Sequence, residues 1–240
     1  LDSLAIGSPL QVFAETTLNV AFSIAVKPGR SVADVRTLAA FGVAAAQVRH
    51  WVAANLADAK LRPAYSNADA AQQVAEGHVD AAVTSPLAAS RWGLATLAEG
   101  VVDEPNARTR FLLVGRPGPP PARTGADRTS VVLHIDNAPG ALLAALAEFG
   151  MRGIDLTRIE SRPTRTGLGT YRFFADCVGH IDDDAVAEAL KALHRRCADV
   201  RYLGSWPTGS PAGALPPPAD KAAHRLTQLR DGKLDGRESQ

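Results

Sequence analysis

A proline-rich stretch constrains this chain more than any other feature. Residues 116–128 read RPGPPPARTGADR and hold four prolines, at positions 117, 119, 120 and 121. Proline fixes φ and lacks a backbone N–H, so such a run favours neither a helix interior nor a central strand and predicts a stiff, extended linker. It divides the 240 residues into a segment 1–115, a segment 129–207 and a tail 208–240, which is predicted to be mostly disordered with a frayed helix at 219–230.

Strand and helix patterns alternate in residues 1–115. Ser66 is a typical N-cap for a helix that ends at Gly77, and Ser85 followed by Pro86 opens another. With strands predicted at 61–65, 79–84 and 109–114 and a helix at 44–56, the alternation predicts an α/β layer with parallel strands. Ligands of such sheets bind at the carboxyl ends of strands and at helix N-termini, where both serines lie. The pattern alone favours ordinary caps for both.

The segment 129–207 predicts a second, different fold. Its strands are expected at 129–135, 154–162, 170–178 and 200–206, with helices at 137–149 and 182–195. The order β-α-β-β-α-β in so short a segment is that of a ferredoxin-like domain, with an antiparallel four-stranded sheet and both helices on one face.

The first of these helices begins in a way that suits a small anionic ligand. Asn137 is predicted to cap it, and Gly140 removes a side chain where the backbone N–H groups are unpaired, as a carboxylate would need. The second strand ends Glu160-Ser161-Arg162-Pro163, in which the glutamate could meet an ammonium group and Ser161 or Arg162 a carboxylate. An amino acid carries both charges. An ordinary helix start beside a charged edge strand explains the same pattern equally well.

Composition excludes several classes of function. The formal net charge is +1, without the basic excess of a nucleic-acid-binding protein. Two cysteines and six histidines show no metal-ligand spacing, so no metal site is expected, and Cys177 and Cys197 are predicted to be free thiols. No apolar run approaches the ~18–20 residues of a membrane span. No charged region precedes an apolar run near the start, which favours a cytoplasmic location over secretion.

Two sets of motifs resemble one family. Asn137-Ala-Pro-Gly-Ala-Leu142, followed by residues 154–163 (IDLTRIESRP), resembles the ACT domain attached to prephenate dehydratases. Residues 79–89 (VDAAVTSPLAA), the tripeptide at 92–94 (WGL) and the run 106–111 (NARTRF) are similar to the catalytic module of the same family. The resemblance runs from residue 1 to about 207. It implies a two-lobed, periplasmic-binding-protein-like module at 1–115 followed by an ACT domain at 129–207.

The chain departs from the family pattern at its start. Family members open with a Gly-Pro-x-Gly-Thr-Phe turn and later carry Glu-Asn-Ser, and this chain, which begins at Leu1, has neither. A Ser-His-Pro element is replaced by Ala40-Phe41-Gly42, with Gln47 retained. The first lobe is therefore expected to be incomplete. A truncated amino-acid-binding regulatory protein without catalysis remains the alternative.

The resemblance also implies what the protein does and with which partners. The reaction is the decarboxylating dehydration of prephenate to phenylpyruvate, CO2 and water, without a cofactor. L-Phenylalanine is the implied feedback effector at the ACT domain, and a homodimer or homotetramer is the implied assembly. The implied effector-binding residues are Asn137, Pro139, Gly140, Ala141, Leu142, Glu160, Ser161, Arg162 and Pro163.

The implied catalytic residues are consecutive. Thr109 is the hydrogen-bond donor to the departing hydroxyl, a contribution of about 10²–10⁴-fold for a positioned donor. Arg110 balances anionic charge, although strand alternation directs it away from Thr109 and Phe111, and Phe111 forms an apolar wall. From the residues alone, Thr109 would be a β-branched residue that starts a strand. The implied substrate-binding residues are Ser66, Asn67, Ser85 and Gln47.

Overall fold

The computed structural model describes residues 2–7, 9–164, 170–209, 213–217 and 227–232. The helices are α1 (Asp2–Ala5), α2 (Gly42–Ala46), α3 (Arg49–Asn55), α4 (Asn67–Glu76), α5 (Pro86–Arg91), α6 (Ala141–Gly150) and α7 (Asp184–Arg196). The strands are β1 (Gln11–Asn19), β2 (Phe22–Val26), β3 (Thr37–Phe41), β4 (Lys60–Ala64), β5 (Ala81–Thr84), β6 (Ala95–Val101), β7 (Arg108–Gly115), β8 (Asp127–His134), β9 (Leu156–Pro163), β10 (Tyr171–Val178) and β11 (Asp199–Pro207). None of the helices in the described residues is long and apolar enough to cross a membrane.

The contacts divide the chain into two compact units. We call Thr17–Arg110 the inserted unit, and Leu1–Thr16 together with Phe111–Gln240 the terminal unit. The chain passes between them within β1 and again within β7, and these two strands pair with each other. This division by contacts differs from the sequence division at 115, which stays a prediction.

The inserted unit is built on a five-stranded sheet in the order β4-β3-β5-β2-β6. Strands β3, β4 and β5 are parallel, because α2 and α3 lead from β3 to β4 and α4 leads from β4 to β5. The predicted strands at 61–65 and 79–84 are thus parallel neighbours of β3, whereas the strand predicted at 109–114 forms β7 and pairs with β1 instead. Strand β2 runs antiparallel to both β5 and β6. The chain enters this unit directly into β2, with no helical crossover to set a parallel direction.

Helices cover both faces of this sheet. Leu38 and Val83 belong to the apolar cluster on one face, which also contains Val48, and Ala82 packs with Val74 of α4 on the other. The single helix predicted at 44–56 is divided into α2 and α3. The interruption falls at Gln47, whose backbone oxygen accepts a hydrogen bond from Asp103 N at 2.6 Å.

The terminal unit contains the predicted ferredoxin-like domain. Its sheet has the order β11-β8-β10-β9 with every neighbouring pair antiparallel. Side chains of α6 and α7, including Phe149 and Leu193, pack with Leu133 on one face. On the other face Phe174 packs with Leu4 from the start of the chain.

The first helix of this domain begins later than predicted. It starts at Ala141, and its N-cap is Gly140 with φ of 77° instead of Asn137. Asn137 is exposed, and a turn follows it in which Ala141 N donates to Ala138 O at 3.1 Å. A left-handed backbone at the cap favours glycine, so the conformational need of Gly140 sets the helix start.

Side chains hold both the linker and part of the tail. The Gln11 side chain donates to Gly118 O at 2.9 Å and accepts from Gly118 N at 3.2 Å, and His180 Nε2 lies 3.0 Å from Pro121 O. In the tail, where disorder was expected, Ala214 N donates to the carboxylate of Asp155 at 3.2 Å. Residues 227–230 form a helical turn. The remainder of the helix predicted at 219–230 lies outside the described residues.

The two cysteines should differ in reactivity. Cys177 is only 2% exposed, and burial raises the pKa of its thiol to about 12, whereas Cys197 is half-buried and burial raises its pKa as well. The thiolate is the reactive species, so iodoacetamide at pH 8 is expected to modify Cys197 at least about tenfold faster than Cys177 in the folded protein. Peptide mass spectrometry measures both rates. Equal rates in the folded protein would contradict this account, and equal rates in urea are the control.

Candidate functional site

Polar residues gather at one edge of the sheet in the inserted unit. The carboxyl ends of β3, β4, β5 and β6 meet at this edge, and β2 starts there because it runs the opposite way. Helices α2, α4 and α5 each begin directly after one of these strands. This is the edge at which open α/β sheets bind their ligands. In the residues that the structure describes, no group of three or more His, Cys, Asp or Glu side chains is arranged to hold a metal ion.

Ser66 and Ser85 lie at this edge as helix caps. Ser66 Oγ accepts from Asp69 N at 3.0 Å, and Ser85 Oγ accepts from Ala88 N at 3.2 Å. The Asp69 carboxylate in turn accepts from Tyr65 N at 2.7 Å, so it already occupies the positive end of α4. The hydroxyl oxygens are engaged in capping, and the hydroxyl protons remain available for donation.

Asn67 and Gln47 present buried oxygen atoms at the same edge. Asn67 Oδ1 and Gln47 Oε1 are both inaccessible and have no hydrogen-bond partner among the described residues. The position of Asn67 is set by Thr84 at the end of β5, whose hydroxyl donates to Asn67 O at 2.6 Å. A buried polar atom without a partner costs about 1–3 kcal/mol, so each of these two atoms is a candidate for a hydrogen bond with a buried water.

Thr109 follows a backbone contact between the residue just before β7 and the segment that leads into β2. Val20 N, two residues before the start of β2, donates to Ala107 O at 2.8 Å. Thr109 follows two residues later in β7, with an exposed side chain between two arginines, Arg108 and Arg110. A hydroxyl at this point is open to a ligand instead of being packed among aliphatic groups.

The two residues after Thr109 have different surroundings. Arg110 is half-buried and interacts within the protein, and strand alternation places it on the opposite face from Thr109. Phe111 is 52% exposed and is the first residue of the terminal unit. Ser66, Asn67 and Ser85 thus lie at the carboxyl edge of the sheet, and Gln47 follows α2, which begins there. Thr109, in contrast, lies two residues beyond a backbone contact with the segment before β2. That these residues form one site, and the roles assigned to them, stay predictions.

Sequence reasoning missed two polar residues of this edge. Ser23 is fully buried at the start of β2 opposite Thr84, and its Oγ has no partner among the described residues. Asp103 follows β6, and its carboxylate oxygens lie 3.3 Å and 3.4 Å from His50 N. The signal for Asp103 was present, because a polar residue just after a strand is expected at a carboxyl edge. No sequence signal pointed to Ser23, because β2 is antiparallel to its neighbours, so its first residues and not its last lie at this edge.

A second candidate site lies at one end of the sheet in the terminal unit. Arg172 at the start of β10 pairs with His134 at the end of β8 and with Arg162 near the end of β9. The loop before α6 and the run 160–163 therefore lie at the same end of the sheet. The N-cap residue of α6 is Gly140, which has no side chain to accept a hydrogen bond. The backbone amide groups in the first turn of α6 are therefore not capped by that residue.

Glu160 is ionised and already paired within this site. It forms ion pairs with Arg158 and, at 2.5 Å, with Arg162 Nε. The hydrogen bond from Arg158 is the main reason that the pKa of the Glu160 carboxyl lies below its usual value, with Arg162 adding to the effect against partial burial. An incoming ammonium group would join this network of alternating charges.

Comparisons with known proteins identify the family of each segment. A family model described as prephenate dehydratase matches residues 1–119, and one described as the ACT domain matches residues 129–195. The prephenate dehydratase of Mycobacterium avium is 86% identical over 233 residues, which cover 97% of this chain and 74% of that protein. The prephenate dehydratase of Mycobacterium tuberculosis is 81% identical over 233 residues, with 97% and 73% covered.

A solved structure extends the likeness to the fold. The prephenate dehydratase of Arthrobacter aurescens in complex with L-Phe superposes with a TM-score of 0.88 at 39% identity, covering 96% of this chain and 78% of that chain. The fold is thus the predicted α/β type, a periplasmic-binding-protein-like module followed by a ferredoxin-like regulatory domain. The chain belongs to the prephenate dehydratase family, in the form that carries a C-terminal ACT domain. The predicted family and its dehydratase function are confirmed.

Proposed function

We propose that this chain acts as a carbon–oxygen lyase whose reaction depends on the Thr109 hydroxyl. The reaction removes the ring carboxylate of prephenate as CO2. The electrons of the broken C–C bond form a ring double bond and expel the ring hydroxyl, which leaves as water after protonation. The product, phenylpyruvate, gains an aromatic ring, so the enzyme needs to bind a dianion and assist the departing oxygen. The exposure of the Thr109 side chain, which leaves its hydroxyl open to a ligand, is the observation that supports this role.

The edge residues have distinct tasks in this proposal. Thr109 donates a hydrogen bond to the departing oxygen. Arg110, which strand alternation directs to the opposite face, balances part of the anionic charge of the substrate without contacting that oxygen. The side-chain amides of Asn67 and Gln47 line the substrate site, and their buried oxygen atoms accept hydrogen bonds from ordered water. Phe111 supplies apolar surface. No cofactor takes part.

Two serines complete the proposed substrate site. The Ser66 and Ser85 hydroxyl protons are donated to a carboxylate of the substrate while their oxygens continue to cap α4 and α5. The Asp69 carboxylate at the start of α4 makes this position less favourable for an anion than an uncapped helix. We therefore expect the serines to contribute less than Thr109.

Phenylalanine is the proposed effector of the terminal unit. Its carboxylate would accept from backbone amides at the start of α6, near Gly140, Ala141 and Leu142, with Asn137 and Pro139 shaping the preceding loop. Its ammonium group would join Glu160, while Ser161, Arg162 and Pro163 line the other side. The A. aurescens relative that shares this fold is described in complex with L-Phe, which supports the assignment.

The assembly and location are also proposals. Effector sites between paired ACT domains require at least a dimer, so we propose a homodimer or homotetramer. A biosynthetic enzyme that uses a small soluble substrate is proposed to reside in the cytoplasm. Sedimentation at several protein concentrations measures the assembly directly.

Turnover and binding measured on the same preparation test the function. We expect phenylpyruvate from prephenate, and inhibition by phenylalanine. Phenylalanine binding in a calorimeter without any turnover would instead favour the catalytically incomplete regulatory protein. Turnover without phenylalanine binding would leave the catalytic proposal intact and overturn the regulatory one.

Glu160→Gln is expected to weaken phenylalanine binding by about tenfold or more, since hydrogen bonds to charged groups contribute about 1.5–3 kcal/mol. Glu188→Gln is the matched control, because Glu188 pairs with Lys191 on an exposed face of α7 in the same unit. Calorimetry gives both affinities. If the two variants bind phenylalanine equally, Glu160 does not meet the ammonium group.

A further inference from the structure

Three buried polar side chains join β1 to the sheet of the terminal unit. Glu15 of β1 pairs with Arg128 of β8, and their side chains are only 7% and 10% exposed. The indole Nε1 of Trp206, which is fully buried in β11, donates to the same carboxylate at 3.0 Å. Arg128 and Trp206 are direct partners in the β8–β11 ladder. We call these three residues the Glu15 cluster.

The Glu15 cluster is not the arrangement that maximises stability. A buried ion pair generally stabilises a fold no more than apolar side chains of the same volume would. Arg128 Nε is buried and has no hydrogen-bond partner among the described residues, so one donor of the guanidinium is unused. An unused buried donor costs free energy, so an arrangement in which Arg128 Nε finds a partner is favoured where the cluster can shift.

The position of the cluster along the chain links it to the catalytic strand. Glu15 lies one residue before Thr16, the last residue of β1 that belongs to the terminal unit. The strand continues into the inserted unit and pairs with β7, which carries Thr109. Val12 of β1 also lies against Gly204 of β11, so closely that a Cβ at Gly204 would be 2.2 Å from Val12 O. Strand β1 therefore both contacts the β8–β11 ladder and pairs with β7.

Strand β8 connects the Glu15 cluster to the proposed effector site. Its carboxyl end, His134, leads into the loop that precedes α6, and Arg128 stands near its amino end. Strand β8 thus connects the loop before α6 to Arg128, which pairs with Glu15 in β1, the partner strand of β7. An effector acts at a distance only by binding two arrangements unequally, and the incompletely satisfied cluster can provide them.

We propose that the Glu15 cluster couples phenylalanine binding in the ACT domain to prephenate turnover. This inference rests on the phenylalanine regulation proposed above. Binding of phenylalanine favours one arrangement of β8. That arrangement determines where Arg128 and Trp206 hold Glu15. Because Glu15 belongs to β1 and β1 pairs with β7, a change in its position alters the position of Thr109.

Trp206→Phe tests the coupling because it removes the indole donor, keeps an aromatic ring in the core and leaves Glu15 paired with Arg128. The quantity measured is the ratio of kcat/KM without phenylalanine to kcat/KM at saturating phenylalanine. We expect this ratio to fall about fivefold or more towards unity, the lower end of typical coupling factors, while calorimetry still detects phenylalanine binding. A second variant, Glu15→Gln combined with Arg128→Gln, removes both charges together and gives the same result if the first variant folds poorly.

The control is Trp92→Phe, the same replacement at a side chain that is 43% exposed in the inserted unit. An unchanged ratio in the folded cluster variants overturns the proposal. So does loss of phenylalanine binding, because the cluster would then only maintain the shape of the ACT domain. If wild-type protein is not inhibited by phenylalanine at all, the proposed regulation itself fails. That result is distinct from an unchanged ratio, or from lost phenylalanine binding, in the cluster variants.

Fluorescence gives a readout that needs no turnover. The chain has three tryptophans, so the variant Trp51→Phe with Trp92→Phe leaves Trp206 as the only indole. Saturating phenylalanine is expected to shift its emission, because the hydrogen bond to Glu15 changes. Unchanged emission, in a preparation that binds phenylalanine by calorimetry, contradicts the coupling.

Discussion

Replacement of Thr109 by valine is expected to lower kcat for prephenate by about 10²–10⁴-fold, the usual contribution of a positioned proton or hydrogen-bond donor. Valine keeps the β-branched shape and removes only the hydroxyl, so β7 should still form. The loss should fall on kcat more than on KM, because the hydrogen bond strengthens as negative charge develops on the departing oxygen. Phenylalanine affinity, measured by calorimetry, should be unchanged.

Two variants control this prediction. Thr109→Ser keeps a hydroxyl and should retain most of the activity. Thr96→Val makes the same replacement at an exposed position near the start of β6, away from the carboxyl edge of the sheet, and should leave turnover unaltered. Wild-type turnover in Thr109→Val would refute the assignment of Thr109 as the donor, whatever the family resemblance.

Replacement of Gly204 by alanine is expected to destabilise the terminal unit by roughly 2–5 kcal/mol, from overpacking together with backbone strain. Gly204 has φ of 142°, and an added Cβ would lie 2.2 Å from Val12 O and 3.3 Å from Val12 N. These atoms belong to the backbone of β1, so no side-chain rotation can relieve the clash. A loss of this size is a large part of the 5–15 kcal/mol that typically stabilises a folded protein.

Gly150→Ala is the matched control for this replacement. It lies at the end of α6 in the same unit, and an added Cβ there meets no atom within 4 Å. Urea unfolding of the two variants gives the difference in the free energy of unfolding. Equal midpoints would show that β1 does not press against β11 as the structure describes.

The elements that the sequence predicted well are held by local interactions. Ser66 and Ser85 cap their helices through amides three residues away, and Gly77 ends α4 with φ of 84°. The β-α-β-β-α-β order followed from turn residues and apolar spacing, which act within a few residues of each other. Family motifs then pointed to Thr109 as a functional residue.

Elements that the sequence did not predict depend on distant partners. The antiparallel direction of β2 is set by pairing with β5 and β6, some sixty to eighty residues later in the chain. The buried oxygens of Asn67 and Gln47 lose their partners only because other elements cover them. From the sequence alone, a charged residue such as Glu15 is expected at the surface, because charged side chains are rarely buried.

The sequence by itself determined the two kinds of fold, their caps and turns, and the family, because each of these depends on residue types at short spacing. Only the tertiary structure decided that β1 lies against β11 of the ACT sheet and pairs with the strand of Thr109, and that Glu15 meets residues 113 and 191 positions away. The physical reason is that burial and pairing are properties of surfaces brought together by folding. No window of neighbouring residues contains both partners of such a contact.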